Sequence, residues 1–312
     1  MNKIRLDYQF FLVKFPIIFP AIYAFILFQF PSFETILIIT TVFILAETHF
    51  GATWPFFLNK INYPFITKNR IPLIIIPIFI ILFSLIGFFL FNKFFLLMFL
   101  AINMYHVTRQ SVGVFKLYSK DILENNCQER LTYLFNLAFF FIAFFKFYIP
   151  VINENNNLIV NIVFIILFFL TSIYYLNKFK FSENYFTLLT GCLIFAPVLF
   201  VNNPIHVITM GVTMHFTQYL YLTYNVYSSR RSSLPVTNPT NFFNRNYSFF
   251  IIIFFYSVFM TFFSFSNEFN LKNLILIPII GQMLHFYLDS QLWKFSEKHN
   301  RDNTLMHSKK FI

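Results

Sequence analysis

Apolar runs long enough to cross a bilayer recur along nearly the whole chain, and they decide its class. A hydrocarbon core needs about 17–25 predominantly apolar residues in a helix. Ten stretches meet that length: 8–28, 33–57, 71–91, 94–115, 131–150, 158–176, 185–202, 205–227, 248–266 and 273–293. The expected fold is an all-α, polytopic integral membrane bundle of about ten transmembrane helices. It would be one membrane domain over 1–312, with a short basic cytoplasmic tail at 295–312. Lys14, Pro16 and Pro20 weaken the first run, which could be tilted, kinked or partly interfacial. Only Asn92-Lys93 separates the third run from the fourth, and Asn202-Asn203-Pro204 the seventh from the eighth. Turn chemistry marks the long loops at Asn62-Tyr63-Pro64, Glu124-Asn125-Asn126 and Ser232-Ser233-Leu234-Pro235.

Charge supports the same class. Only 11% of residues are charged, against about 25% in soluble chains. The 52 Phe accompany abundant Ile, Asn and Lys, as AT-rich codon usage would produce, and imply no cofactor. A formal charge of +11 could suggest nucleic acid, but the basic residues sit in short loops between apolar runs, where they set orientation. With ten spans, 18 Lys and Arg fall on the side of both termini and 3 on the other. Both termini are therefore expected in the cytoplasm, in a bacterial inner (cytoplasmic) membrane, with the lipid bilayer as partner and no nucleic acid. Cys127 and Cys192 are far apart and lack metal-type spacing. No cleavable signal peptide, internal repeat, Gly-rich loop or nucleotide fingerprint is evident.

Against this background the polar residues inside spans stand out, because each costs roughly 2.5–3.5 kcal/mol at mid-bilayer on insertion scales. Four stretches carry them: Glu47-Thr48-His49-Phe50-Gly51, His106-Val107-Thr108-Arg109-Gln110, His215-Phe216-Thr217-Gln218-Tyr219 and His285 through Asp289. His49, His106, His215 and His285 lie on the second, fourth, eighth and tenth spans, all running from outside to inside. At about 1.5 Å per residue they share one depth, in the cytoplasmic half of the bilayer. A common metal is the simplest reason, since neutral imidazole binds iron, zinc or copper. One such histidine alone would more often make a helix–helix hydrogen bond.

Gln110, Gln218 and Asp289 follow their histidines by four, three and four residues, on the same helix face. They could orient ligands or handle protons. Glu47 precedes His49 by two and points about 160° away, toward a neighbouring helix. Glu47 and Asp289 are candidates to receive the second N–H of a ligating imidazole, or to ligate directly if there are two metals. Arg109 needs an anion: either an ion pair with Glu47 or Asp289, or an anionic group of a substrate. His206 faces away near the outer surface, and His299 and His307 lie in the tail; all three read as structural or solvated. Trp54, Trp293 and Tyr118 fit an interfacial belt. Tyr105, Tyr219 and Tyr287 adjoin the histidines, with core packing the default.

His49-Phe50-Gly51 in an apolar span, His106 with Arg109 three residues on, and His285 with Asp289 in a late helix resemble the Brp/Blh family. Gln110 stands where that family tends to carry a second histidine, and the family's early Pro-His-Gly element is missing. The resemblance covers short patches on three or four spans. It implies cleavage of β-carotene by oxygen, with histidines in the spans as iron ligands. The function expected is a membrane-embedded, metal-dependent oxygenase or oxidoreductase. Fe(II) would sit on the four histidines, and molecular oxygen would react with a carotenoid, isoprenoid or acyl chain. Two other classes stay open: a cytochrome with two of the histidines on haem, and a proton-coupled transporter using Asp, Glu and His as a relay.

Overall fold

The computed structural model describes residues 9–118, 127–148, 154–232, 246–266 and 271–308, and its described residues contain helices and no strand. The principal helices, in chain order, are α1 (Phe15–Gln29), α2 (Glu34–Thr41), α3 (Glu47–Gly51), α4 (Thr53–Phe57), α5 (Tyr63–Lys68), α6 (Ile76–Leu90) and α7 (Asn92–Tyr118). The second half adds α8 (Cys127–Phe147), α9 (Glu154–Phe179), α10 (Glu183–Leu193), α11 (Pro204–Ser232), α12 (Asn246–Ser264) and α13 (Leu276–Leu292). The turns expected at Glu124-Asn125-Asn126 and Ser233-Leu234-Pro235 lie outside the described residues, as do 1–8 and 309–312.

Among the described residues, six stretches are long and apolar enough to cross a membrane: Phe10–Gln29, Pro31–Phe57, Ile71–Leu90, Cys127–Phe147, Asn161–Lys178 and Tyr247–Ser264. They correspond to six of the ten expected runs. The run at 185–202 is instead the 11-residue helix α10 and a 3₁₀ turn, Ala196–Leu199. At 1.5 Å per residue α10 covers about 16 Å, roughly half a hydrocarbon core. Pro20 does not break the first helix, which continues through it.

The chain divides into two compact units. The first comprises 1–38 and 104–218, the second 39–103 and 219–312. Each draws on two separated stretches, and α7 and α11 contribute to both. No linker or change of composition marks such a division, so it left no trace in the sequence.

In the first unit, α10 packs against α8 and α9. Asn136 on α8 is fully buried and donates to the carbonyl of Gly191 at 2.8 Å. The irregular backbone after α10 exposes carbonyls that a membrane interior would leave unsatisfied. Lys146 donates to Val198 and Val201, both at 3.0 Å, and Asn161 donates to Leu199 at 2.8 Å. Gly211 on α11 lies against this segment, and a Cβ there would fall 1.7 Å from the carbonyl oxygen of Ile194. Asn203 caps α11 by accepting from the Ile205 N–H at 2.9 Å.

In the second unit, α3 and α13 both pack on α12. Tyr256 on α12 is held by two glycines: a Cβ at Gly51 would lie 2.9 Å from its ring, and one at Gly281 2.5 Å from its hydroxyl oxygen. Phe56, Phe57, Leu73, Val226, Leu288 and Leu292 form a buried cluster, with Trp54 and Trp293 packed against it. Residues expected to form a solvated tail also belong here. His299 stacks on Phe65 with ring centroids 4.6 Å apart, and its Nε2 lies 3.0 Å from Asn62 Oδ1. His307 Nδ1 lies 2.8 Å from Ser229 Oγ. Arg230, fully buried, donates through Nε to the Asn303 carbonyl and through Nη2 to Thr304 Oγ1 at 2.6 Å. Its guanidinium lies over the Phe56 ring, 4.2 Å from the centroid. Burial pushes the Arg230 pKa down to about 9.

Candidate functional site

The second unit brings two of the four span histidines face to face. His49 on α3 and His285 on α13 are buried, with their Nε2 atoms 3.1 Å apart and ring planes at 63°. A widened turn, Val42–Ala46, precedes α3 and closes through the Glu47 N–H on the Val42 carbonyl. Such i→i+5 turns in helices recur at functional sites.

From His285 a hydrogen-bonded chain runs to a carboxylate. His285 Nδ1 lies 2.6 Å from Thr53 Oγ1, Thr53 Oγ1 lies 3.0 Å from Tyr219 Oη, and Tyr219 donates to Asp289 Oδ1 at 2.5 Å. The proton directions follow from the far end. Tyr219 gives its one hydrogen to the carboxylate, so its oxygen accepts from Thr53. Thr53, having given its own hydrogen, accepts from His285 Nδ1. The chain therefore fixes the tautomer of His285: hydrogen on Nδ1, lone pair on Nε2, aimed at His49. A carboxylate that reaches an imidazole N–H through hydroxyls performs the orienting role that metal-binding histidines require.

The spacing also fits a metal. Two imidazole nitrogens at about 2.0–2.1 Å from one ion, at angles between octahedral and tetrahedral, lie about 2.8–3.4 Å apart. The observed 3.1 Å is inside that range. The rings around the pair are aromatic: Phe50 against His285 at 5.2 Å and Tyr219 against His49 at 4.4 Å.

The other expected site residues are distributed as follows. Asp289 is in the site, joined to the imidazole through two hydroxyls. Glu47 is buried and faces α12 and α13, as its spacing from His49 required. His106 and His215 are buried in the first unit, and Gln110 on α7 is half-buried there. Gln218 donates its amide to the Leu12 carbonyl at 2.9 Å, beside Thr217 on Phe11 at 3.2 Å. It satisfies backbone carbonyls in the widened turn Phe10–Lys14 rather than orienting an imidazole. Arg109 is exposed, near Tyr133, and enters none of the ion pairs among the described residues. A long stem lets an arginine in a span carry its charge outward.

His206 is buried in the first unit. Its Nδ1 lies 2.8 Å from Tyr23 Oη and its Nε2 2.7 Å from Glu34 Oε1, which ties α11 to α1 and α2. This is the structural role that its position suggested.

Sequence reasoning passed over Thr53 and assigned Tyr219 to core packing. Both carried a usable signal. Thr53 follows His49 by four residues, and Tyr219 follows His215 by four, so each shares a helix face with a histidine.

No family model, curated protein or solved structure matches the chain.

Proposed function

We propose that the protein is a membrane-embedded, metal-dependent oxidoreductase acting on a lipophilic substrate, with Fe(II) as its metal. The observation that carries this reading is the His49–His285 pair at 3.1 Å, with the lone pair of His285 Nε2 set by the chain to Asp289. A buried histidine kept only for packing has no need of a carboxylate-anchored tautomer.

Bound there, iron would supply the activation of molecular oxygen for attack on a C=C or C–H bond. The chain's own groups do the rest. Thr53, Tyr219 and Asp289 hold His285 in register. Phe50 and Phe286 line its ring with apolar surface, which keeps water away and suits a substrate entering from lipid. The choice of a carotenoid over an isoprenoid or acyl chain rests on the Brp/Blh-like patches alone. Ten crossings, both termini in the cytoplasm and a bacterial inner membrane complete the proposal, on the strength of the loop charges.

The alternative with haem has less support. Axial ligands face each other across the iron, about 4 Å apart, wider than this pair. Metal analysis and a visible spectrum of the detergent-purified protein test the reading. Iron without a Soret band, lost in His49→Ala and His285→Ala but retained in His206→Ala, is the expected result. A Soret band would move the assignment to a cytochrome. Equal metal content in all three variants would remove the site.

A further inference from the structure

The side of α7 that carries Arg109 is open. From Asn103 to Lys116 the exposed residues are Tyr105, Arg109 and Lys116, and with the half-buried Gly113 they recur at helical spacing on one face. A Cβ at Gly113 would meet nothing within 4 Å beyond its own helix, so a hollow separates Arg109 from Lys116. On α8, Tyr133 stacks on Tyr105 with ring centroids 6.0 Å apart and lies near Arg109. One turn earlier, Glu129 pairs with Lys116 at 2.5 Å. Arg130 heads a further exposed face of α8, which continues as Leu134, Leu137 and Phe141. That face is cationic at its head and apolar below.

The α8 helix belongs to a stretch able to cross a membrane. Arg109 lies seven residues before Lys116, about 10 Å further from that end of α7. A guanidinium on the lipid-facing side at this depth needs an anion or a reach to the headgroup layer. Arg109 enters none of the ion pairs among the described residues. Glu129 is the only acid on either helix, and Lys116 takes it. Against it stand Arg109, Lys116 and Arg130, a surplus of two positive charges at this end of the helix pair. The anions within reach of a lipid-facing surface are the phosphates of lipids. Arginine takes a phosphate through two parallel N–H donors. Tyrosine favours the headgroup level, and basic pockets between spans hold anionic headgroups. The apolar face below Arg130 gives an acyl chain a seat that a free phosphate would not use.

We propose that Arg109, Arg130 and the hollow at Gly113 bind the headgroup of an anionic phospholipid, whose acyl chain lies along Leu134, Leu137 and Phe141. The site belongs wholly to the first unit. It is independent of the oxidoreductase reading, since it needs no metal and no oxygen.

Titration of the full-length detergent-purified protein with phosphatidylglycerol, read by native mass spectrometry, tests it. One saturable site is expected, about tenfold tighter for phosphatidylglycerol than for phosphatidylcholine with the same chains. Arg109→Gln should weaken it about tenfold, the loss of a hydrogen bond between charged groups. Gly113→Leu should weaken it by about as much, by filling the hollow with no change of charge. Lys68→Gln, which removes one exposed charge of the second unit, should bind as the wild type does. Glycerophosphoglycerol, the same headgroup without acyl chains, should not compete at the concentrations that saturate the lipid site. Equal affinity for the two lipids would overturn the proposal, and so would Arg109→Gln binding as tightly as Lys68→Gln. Full competition by glycerophosphoglycerol would overturn the assignment to a lipid. Should Arg109→Gln fail to fold, undiminished binding in Gly113→Leu would overturn the proposal instead.

Discussion

Thr53 has a small side chain and two obligations: it accepts from His285 and donates to Tyr219. Replacing it with valine keeps the shape and removes both bonds, freeing the imidazole to turn or to change tautomer. Thr53→Val and Tyr219→Phe are expected to weaken iron retention by about 10–100-fold, the usual cost of losing an orienting partner. Competition against a graded series of chelators measures this. Equal retention in both variants and the wild type would mean that the chain to Asp289 does not serve a metal. At this scale much was legible beforehand. The cost of ionisable groups in a span singled out His49, His285, Glu47 and Asp289. The hydroxyls between them were not legible, because threonine and tyrosine are cheap in an apolar helix and raise no such alarm. The tertiary pairing of α4 with α11 and α13 is what gives them a role.

Between residues and the whole lie the helices, and here the break after α10 is the informative feature. The sequence reads as one apolar run through 185–202, yet the chain leaves the helix at Leu193. Hydropathy counts side chains and takes no account of where carbonyls point. The break is tolerated because Lys146 and Asn161 reach it, and because Gly211 lets α11 approach the Ile194 carbonyl. Gly211→Ala places a methyl group into backbone that cannot retreat, and should cost about 3 kcal/mol or more. Lys146→Met should cost about 1–3 kcal/mol for each carbonyl left without a donor. Thermal unfolding of each variant in detergent checks both, and a melting temperature within a degree or so of wild type would contradict the packing described. In the sequence, Lys146 counts only as one of the three basic residues on the side opposite the termini.

At the scale of the molecule, orientation is the open quantity. Lys68 and Asn92 are exposed and precede and follow the apolar stretch Ile71–Leu90. With both native cysteines replaced by serine, Lys68→Cys should react with a membrane-impermeant thiol reagent only from the cytoplasmic side and Asn92→Cys only from the other. The reverse pattern would invert the topology that the loop charges predict. The membrane class and the helical fold were written in the lengths of the apolar runs. The two-unit division was not, since it depends on which helices pair and not on what any one contains.

The C-terminal residues make a prediction of their own. His299 Nδ1 lies 3.3 Å from Asn303 Nδ2, while Nε2 lies 3.0 Å from Asn62 Oδ1. Because Asn62 gives its own amide hydrogens to the carbonyls of Phe56 and Phe57, its oxygen is the acceptor. His299 is thus neutral with its hydrogen on Nε2. Burial, and then the neighbouring Arg230 charge, lower its pKa below the ordinary histidine range. An unfolded tail takes up a proton before the folded one does, so this contribution is full above about pH 6.5 and fades as pH falls below it. Melting temperature should drop on going from about pH 7 to pH 5, and drop less in His299→Gln. An identical pH profile in the two proteins would rule out His299 as the cause.

The buried Arg230 also sets an order in time. Its hydrogen-bond acceptors at Asn303 and Thr304 lie 73 and 74 residues further along the chain. At translation rates of about 5–20 residues per second, they are made roughly 4–15 s later. Until then the guanidinium cannot take its final place over Phe56. A premature stop only a dozen residues from the end would leave every apolar helix intact and still strand this cation without the carbonyl and hydroxyl that receive it.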